Sequence, residues 1–145
     1  MKKILLMIVC ALMCSVSFAQ NLTKENKALA KEELKKFEKN GWKGAGADAK
    51  MKEAIERSYV YIQDEENYVV AEAAASQIDA KNAIEVATNI AQRKAMEKAR
   101  DVLKERGFKK IQTSDNFIKV LTLYRDHKKR EDGSEAFVRV ALKLN

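Results

Sequence analysis

Between residues 76 and 106, alanine returns every three or four positions, at Ala80, Ala83, Ala87, Ala91, Ala95 and Ala99. That period matches the 3.6-residue turn of an α-helix, so the methyl groups line one face, with Ile84, Ile90, Val102 and Leu103 beside them. A stripe this flat lets a helix backbone lie unusually close to a sheet or to another helix. The pattern predicts a long helix from about Ser76 to Arg106. Ser76 followed by Asp79 resembles a capping box with Asp in the usual Glu place, and Gly107 supplies a stop. Asp79 at the start and Lys98, Arg100, Lys104 and Arg106 towards the end match the helix dipole.

The segments around this helix read as two further helices and three strands. Thr23 to Lys39 carries Leu22, Leu29, Ala30, Leu34 and Phe37 near helical spacing, with Thr23 as N-cap and Asn40-Gly41 as a stop. Trp42 and a Gly44-Ala45-Gly46 turn follow. Met51, Ile55, Tyr59 and Ile62 mark a second helix from about Asp48 to Ile62. Tyr68 to Ala75 reads as a strand with small residues in its second half, and Phe137 to Leu144 alternates strictly. Glu131 to Ser134 reads as the hairpin turn before it. Phe117 to Arg125 is β-rich and apolar on both faces, with Ile118, Val120 and Tyr124 on one and Phe117, Leu121 and Leu123 on the other. Such a strand is normally covered twice. The long helix can cover one face, and the N-terminal helices or a second subunit must cover the other. The fold class expected is α+β: about three antiparallel strands packed on one long Ala-rich helix, with two N-terminal helices.

Residues 1–19 have the layout of a secretory signal peptide. Lys2 and Lys3 are the positive region, Ile4 to Met13 the apolar region, and Ser17 and Ala19 the small residues of a cleavage site. Cleavage is expected between Ala19 and Gln20, with export to the periplasm or cell surface. The only cysteines, Cys10 and Cys14, fall inside this segment and follow Val9 and Met13. A lipoprotein signal needs Gly, Ala or Ser before its modified Cys, so lipid anchoring is not expected. The chain then divides into the signal at 1–19, an N-terminal helix with its Gly/Trp turn at 20–47, and an α+β core at 48–145. The exported part keeps no thiol, which removes disulfides, Cys-ligated zinc and Cys nucleophiles from the possibilities.

Little remains for catalysis. His127 is the only histidine and sits among Arg125, Lys128, Lys129 and Arg130, where an exposed hairpin approach is expected. Asp64-Glu65-Glu66 lacks the spacing of a calcium loop and reads as a solvated acidic turn. Ser58 and Ser76 have no nucleophile-elbow context, and Gly44 and Gly46 do not form a phosphate loop. Trp42, Tyr59 and Tyr61 read as core in preference to a stacking platform for a glycan or flavin. No catalytic residue, metal ligand or cofactor is expected. Two anion sites remain as candidates: a basic patch of Lys109, Lys110, Lys128, Lys129 and Arg130, and the helix N-terminus at Ser76 and Asp79. The formal net charge of +7 would favour nucleic acid in a cytosolic protein. For an exported chain no nucleic acid is expected, and weak contact with an anionic membrane surface is the natural counterpart.

Several stretches taken together resemble a known family. KKFEKNGWK (Lys35 to Lys43), MKEAIERSY (Met51 to Tyr59) leading to DEENYVVAEAAAS, the helix beginning DAKNAIEVATNIAQRKA, and the closing KVLTLYRD and AFVRVALKL are similar to secreted relatives of the LPP-twenty lipoprotein family. These are small envelope proteins of Gram-negative bacteria. The resemblance spans most of the exported part and implies a strand, a long helix and an antiparallel strand pair, with no agreed enzymatic activity. The chain departs from that pattern in lacking the lipid-anchoring Cys and in a short connection from Gly107 to Asp115. The function expected is an exported, non-catalytic envelope binding or scaffold protein whose partners are envelope components or its own copies. The alternative is a small-ligand carrier with an apolar pocket between sheet and helix.

Overall fold

The computed structural model describes residues 21–44, 50–108 and 119–144. Six elements follow in order: α1 (Lys24–Lys39), α2 (Met51–Gln63), β1 (Tyr68–Gln77), α3 (Ala80–Glu105), β2 (Val120–Arg130) and β3 (Gly133–Lys143). The sheet order is β1-β3-β2, and β3 runs antiparallel to both neighbours. β1 and β2 are therefore parallel to each other, and α3 carries the chain across the gap that β3 fills. This is the α+β fold expected, with α3 on one face of the sheet and α1 and α2 on the other.

The alanine stripe makes the first interface. Ala83, Ala87, Ala91 and Ala95 of α3 pack on Ala71 and Ala73 of β1 and on Ala136, Val138 and Val140 of β3. Asp79 caps this helix, its Oδ1 accepting the Asn82 backbone N–H at 2.8 Å. The expected start at Ser76 is thus corrected. Ser76 is still in β1, paired with Glu135, and the strand runs on to Gln77 opposite Ser134. Two residues of extra pairing are possible because the hairpin approaches closely here. A Cβ on Gly133 would overlap the Gln77 carbonyl oxygen, and Gly133 holds φ +156°. Only glycine fits both demands.

α1 begins at Thr23, whose Oγ1 accepts from the Asn26 N–H. It ends in a Schellman motif: Gly41 at φ +86° donates to Glu38 O, and Trp42 donates to Phe37 O. That turn folds Trp42 back beside Phe37 and over Phe137 of β3. Phe37 meets Phe137 edge-on at 4.9 Å and Tyr124 at 5.4 Å. Leu22, Ala30, Ile55 and Tyr59 extend the apolar contact between α1 and α2. Trp42 and Tyr59 are core residues, as read from the sequence, and Tyr61 lies edge-on to Tyr68. Within this chain α1 and α2 cover the second face except at Leu121 of β2.

β2 departs from the simple alternation expected of it. Its register with β3 slips between Thr122 and Tyr124, which leaves Leu123 as an extra residue. Tyr124 then pairs with Arg139 and shares the face of Leu121, opposite Ala141, while Val120 packs with the α3 core. A bulge adds a residue to one strand only, so the faces exchange beyond it. Arg57 of α2 donates to the carbonyl of the extra residue, Leu123, at 2.6 Å. The strand also runs through His127 to Arg130, where an exposed approach to the hairpin was expected, and the turn is confined to Glu131 and Asp132. Phe117 and Ile118 lie outside the described residues.

Candidate functional site

Two clusters of ionisable side chains are built by this fold, one buried and one exposed. The buried one centres on Arg139, which is 3% exposed and projects from β3 towards α1 and α2. Its guanidinium meets Glu33 of α1 through Nη1 at 2.5 Å and Glu72 of β1 through Nη2 at 2.5 Å and Nε at 2.7 Å. Tyr59 of α2 donates its hydroxyl to the other Glu33 oxygen at 2.7 Å. The guanidinium thereby ties β3 to α1 and β1, and Tyr59 adds α2 through Glu33. Burial alone would lower the Arg139 pKa, yet the hydrogen bonds and charges of Glu33 and Glu72 outweigh it and hold the group charged. Burial, then the bond to Glu33, pushes the Tyr59 hydroxyl well above its ordinary range.

A second buried acid sits on the same face. Asp126 is fully buried, and its Oδ2 accepts the Tyr124 hydroxyl at 2.7 Å and the Gly44 N–H at 2.8 Å. Its Oδ1 accepts the His127 N–H at 2.7 Å. Tyr124 is likewise pushed up, by burial first and then by its bond to Asp126. The three groups that the Asp126 carboxylate accepts from come from β2 and from the turn after α1, so the arrangement fastens that turn to the sheet. Neither role was legible beforehand, because Arg139 and Asp126 fall at positions that alternation and local charge assign to solvent.

The exposed cluster gathers at the hairpin end of β2. Lys128, Lys129 and Arg130 of the expected patch stand together, while Lys109 and Lys110 lie outside the described residues. Lys43 and His127 join them around an open cleft of about 640 Å³ that Asn40 and Gly41 help to line. Lys128 is partly committed: it donates to Asn40 O at 2.6 Å and lies 4.4 Å from the Trp42 ring centre. Arg130 pairs with Glu135 at 2.8 Å. Among the described residues Lys43 and Lys129 face no carboxylate. His127 belongs to a strand and not to a loop, and it stands half-buried.

Ser76 and Asp79 are not arranged as an anion site. Ser76 lies in the sheet, and the Asp79 carboxylate itself occupies the first turn of α3, with Oδ2 accepting from the Asn82 side chain at 2.7 Å. Asp64, Glu65 and Glu66 form a turn in which Asp64 holds Asn67 and the carbonyls of Glu65 and Glu66 accept from Arg106. Among the described residues no group of His, Cys, Asp or Glu is placed to hold a metal, and no helix is long and apolar enough to cross a membrane. The interface where a carrier's apolar pocket was envisaged is filled by Ala87, Ala91, Val138 and Val140. The cleft of about 900 Å³ nearby wraps the outer edge of β1 and is lined largely by charged side chains, among them Glu33, Glu72, Lys98 and Arg106. No protein-family model, curated protein or solved structure matches the chain.

Proposed function

We propose that this protein is an exported, non-catalytic binding or scaffold module of the bacterial cell envelope, and that it meets its partner through the basic end of β2. The observation that carries the reading is the gathering of Lys43, His127, Lys128, Lys129 and Arg130 around one open cleft. The ionisable groups inside the protein are engaged in holding α1 and α2 on the sheet, whereas this cluster leaves positive charge towards solvent. Such a field attracts and orients acidic partners. The signal-like residues 1–19 and the resemblance to LPP-twenty relatives supply the address.

Two measurements test the reading. Protein recovered from the envelope fraction should begin at Gln20 and carry no lipid; an intact Met1, or acyl groups on Cys10 or Cys14, would overturn export by this route. A photo-crosslinking amino acid in place of Lys129 should give a discrete adduct in intact cells, and the same group in place of Glu97 on exposed α3 should not. Absence of an adduct at Lys129, or equal adducts at both positions, would overturn the choice of surface.

A further inference from the structure

Resting on that reading, we infer that the partner engages as an acidic, extended segment that adds to the open edge of β2 as a fourth strand. The two outer strands of the sheet differ in a way that points to it. On β1, the outward carbonyls of Val70 and Glu72 accept from Lys98 Nζ at 3.0 Å and Lys94 Nζ at 3.4 Å, both reaching over from α3. Arg106 closes the start of the same edge on the Glu65 and Glu66 carbonyls. Among the described residues, no side chain from another element bonds a backbone group of His127–Arg130 on β2.

The backbone of that stretch is turned outwards at alternate residues. Arg130 and Gly133 close the two-residue turn as the inward-bonding pair, so His127, three residues back, faces outwards, and its N–H is held by Asp126 Oδ1. Residues of an antiparallel strand alternate between inward and outward bonding, so Lys129 shares the outward direction. An incoming strand finds the Lys129 N–H as donor and the His127 and Lys129 carbonyls as acceptors there, the His127 N–H being taken by Asp126. Cationic side chains stand around them on both faces of the sheet, with Lys128 and Arg130 on the side of α1, Lys129 on the other, and Lys43 across the cleft.

Charge decides between occupants. Basic side chains on an edge strand repel a second copy of the same edge, which is one way that proteins avoid edge-to-edge pairing. The same side chains favour an acidic segment, whose main chain would use the strand and whose carboxylates would meet the lysines. A phosphate-bearing lipid surface would use the cations but leave the outward carbonyls without a donor, so the edge fits a peptide better.

The test uses the exported form of the full chain and fluorescein-labelled peptides of five Glu-Thr repeats, five Glu-Pro repeats and five Lys-Thr repeats. The Glu-Pro peptide has the same charge, but its prolines hold every second residue near φ −65° and leave only the Glu edge able to donate, so it builds a ladder poorly. Anisotropy should show the Glu-Thr peptide binding, the Glu-Pro peptide about tenfold weaker or worse, and no binding of the Lys-Thr peptide, with affinity falling as salt rises. Lys129→Glu should weaken the Glu-Thr peptide by about tenfold without changing thermal stability. Amide exchange at Lys129 should slow on binding. Equal binding of the Glu-Thr and Glu-Pro peptides would overturn strand addition. So would binding to equimolar phosphatidylglycerol–phosphatidylcholine vesicles with no peptide binding, which would move the site to a membrane surface. Peptide failure while the Lys129 adduct persists in cells overturns strand addition alone; loss of that adduct overturns the underlying reading as well.

Discussion

Where α3 meets the sheet, methyl groups from six or more alanines lie against valines, and no charged side chain intervenes. Where α1 and α2 meet the other face, Phe37, Trp42, Tyr59, Tyr124 and Phe137 surround a buried guanidinium and a buried carboxylate. The first interface is close and uniform, and any small residue of similar shape would serve it. The second is thick and specific, because aromatic rings hold the helices away from the strands and leave polar positions of β3 inside. Those positions then need partners of opposite charge, since an unpaired buried charge is far more costly than a lost contact. One face is specified by volume, the other by partners.

The largest expected effect lies at the polar face. Arg139→Ala leaves Glu33 and Glu72 without their cation and should cost about 3–5 kcal/mol, measured by chemical denaturation. Arg139→Lys should recover part of this, because an ammonium keeps the charge but loses the forked geometry. Wild-type stability in Arg139→Ala would show that α1 does not depend on this ion pair. Tyr124→Phe comes next, at about 1.5–3 kcal/mol for a hydrogen bond to a charged group. Its effect should also depend on pH. The Tyr59 and Tyr124 hydroxyls are raised above their ordinary value of 10.0, so the folded state keeps protons that the unfolded state releases. Their contribution is complete below pH 10 and is lost as pH rises above it. Tyr124→Phe should therefore flatten the fall in stability between neutral and strongly alkaline pH, and a parallel fall in both proteins would contradict the burial of this hydroxyl.

The uniform face answers to volume alone. Ala87→Phe or Ala91→Phe forces a ring between α3 and the sheet and should cost about 1–3 kcal/mol. Denaturant midpoints unchanged in both variants would place the alanine stripe towards solvent and remove the contrast between the two faces.

The uniform face was also the legible one. A repeat of small residues at helical spacing has one simple use, and the strict alternation of β3 gave its partner surface, so α3 and its contact followed from the sequence. The polar face was hidden for physical reasons. Arg139 alternates with Val138 and Val140 as a solvent-facing residue would, and only the arrival of Glu33 and Tyr59 from distant elements buries it. Asp126 is embedded in a run of charged residues, so nothing local distinguishes it from its exposed neighbours. Ser76 and Asp79 both have capping chemistry, and the choice between them was made by how far β1 could pair with β3. Of the basic patch, Lys128, Lys129 and Arg130 were visible as a run, whereas Lys43 joins them only because the turn after α1 folds back over Phe137.

The bulge in β2 supplies the smallest expected effect and the sharpest one to read. A regular strand would put Leu121 and Leu123 on the same face and give them the same fate. With Leu123 as the extra residue, Leu121 is 40% exposed while Leu123 is 1% exposed, and the Leu123 carbonyl is held by Arg57. Leu121→Glu should accordingly stay within about 0.5 kcal/mol of the wild type, as surface substitutions usually do. Leu123→Glu should destabilise severely, because a carboxylate would replace an apolar side chain that is almost fully buried. Denaturant midpoints for the pair, with light scattering to follow self-association, separate the cases. Equal losses in the two variants would restore the regular strand. A monomer whose Leu121→Glu variant keeps the wild-type midpoint means that α1 and α2 suffice to close this face without a second subunit.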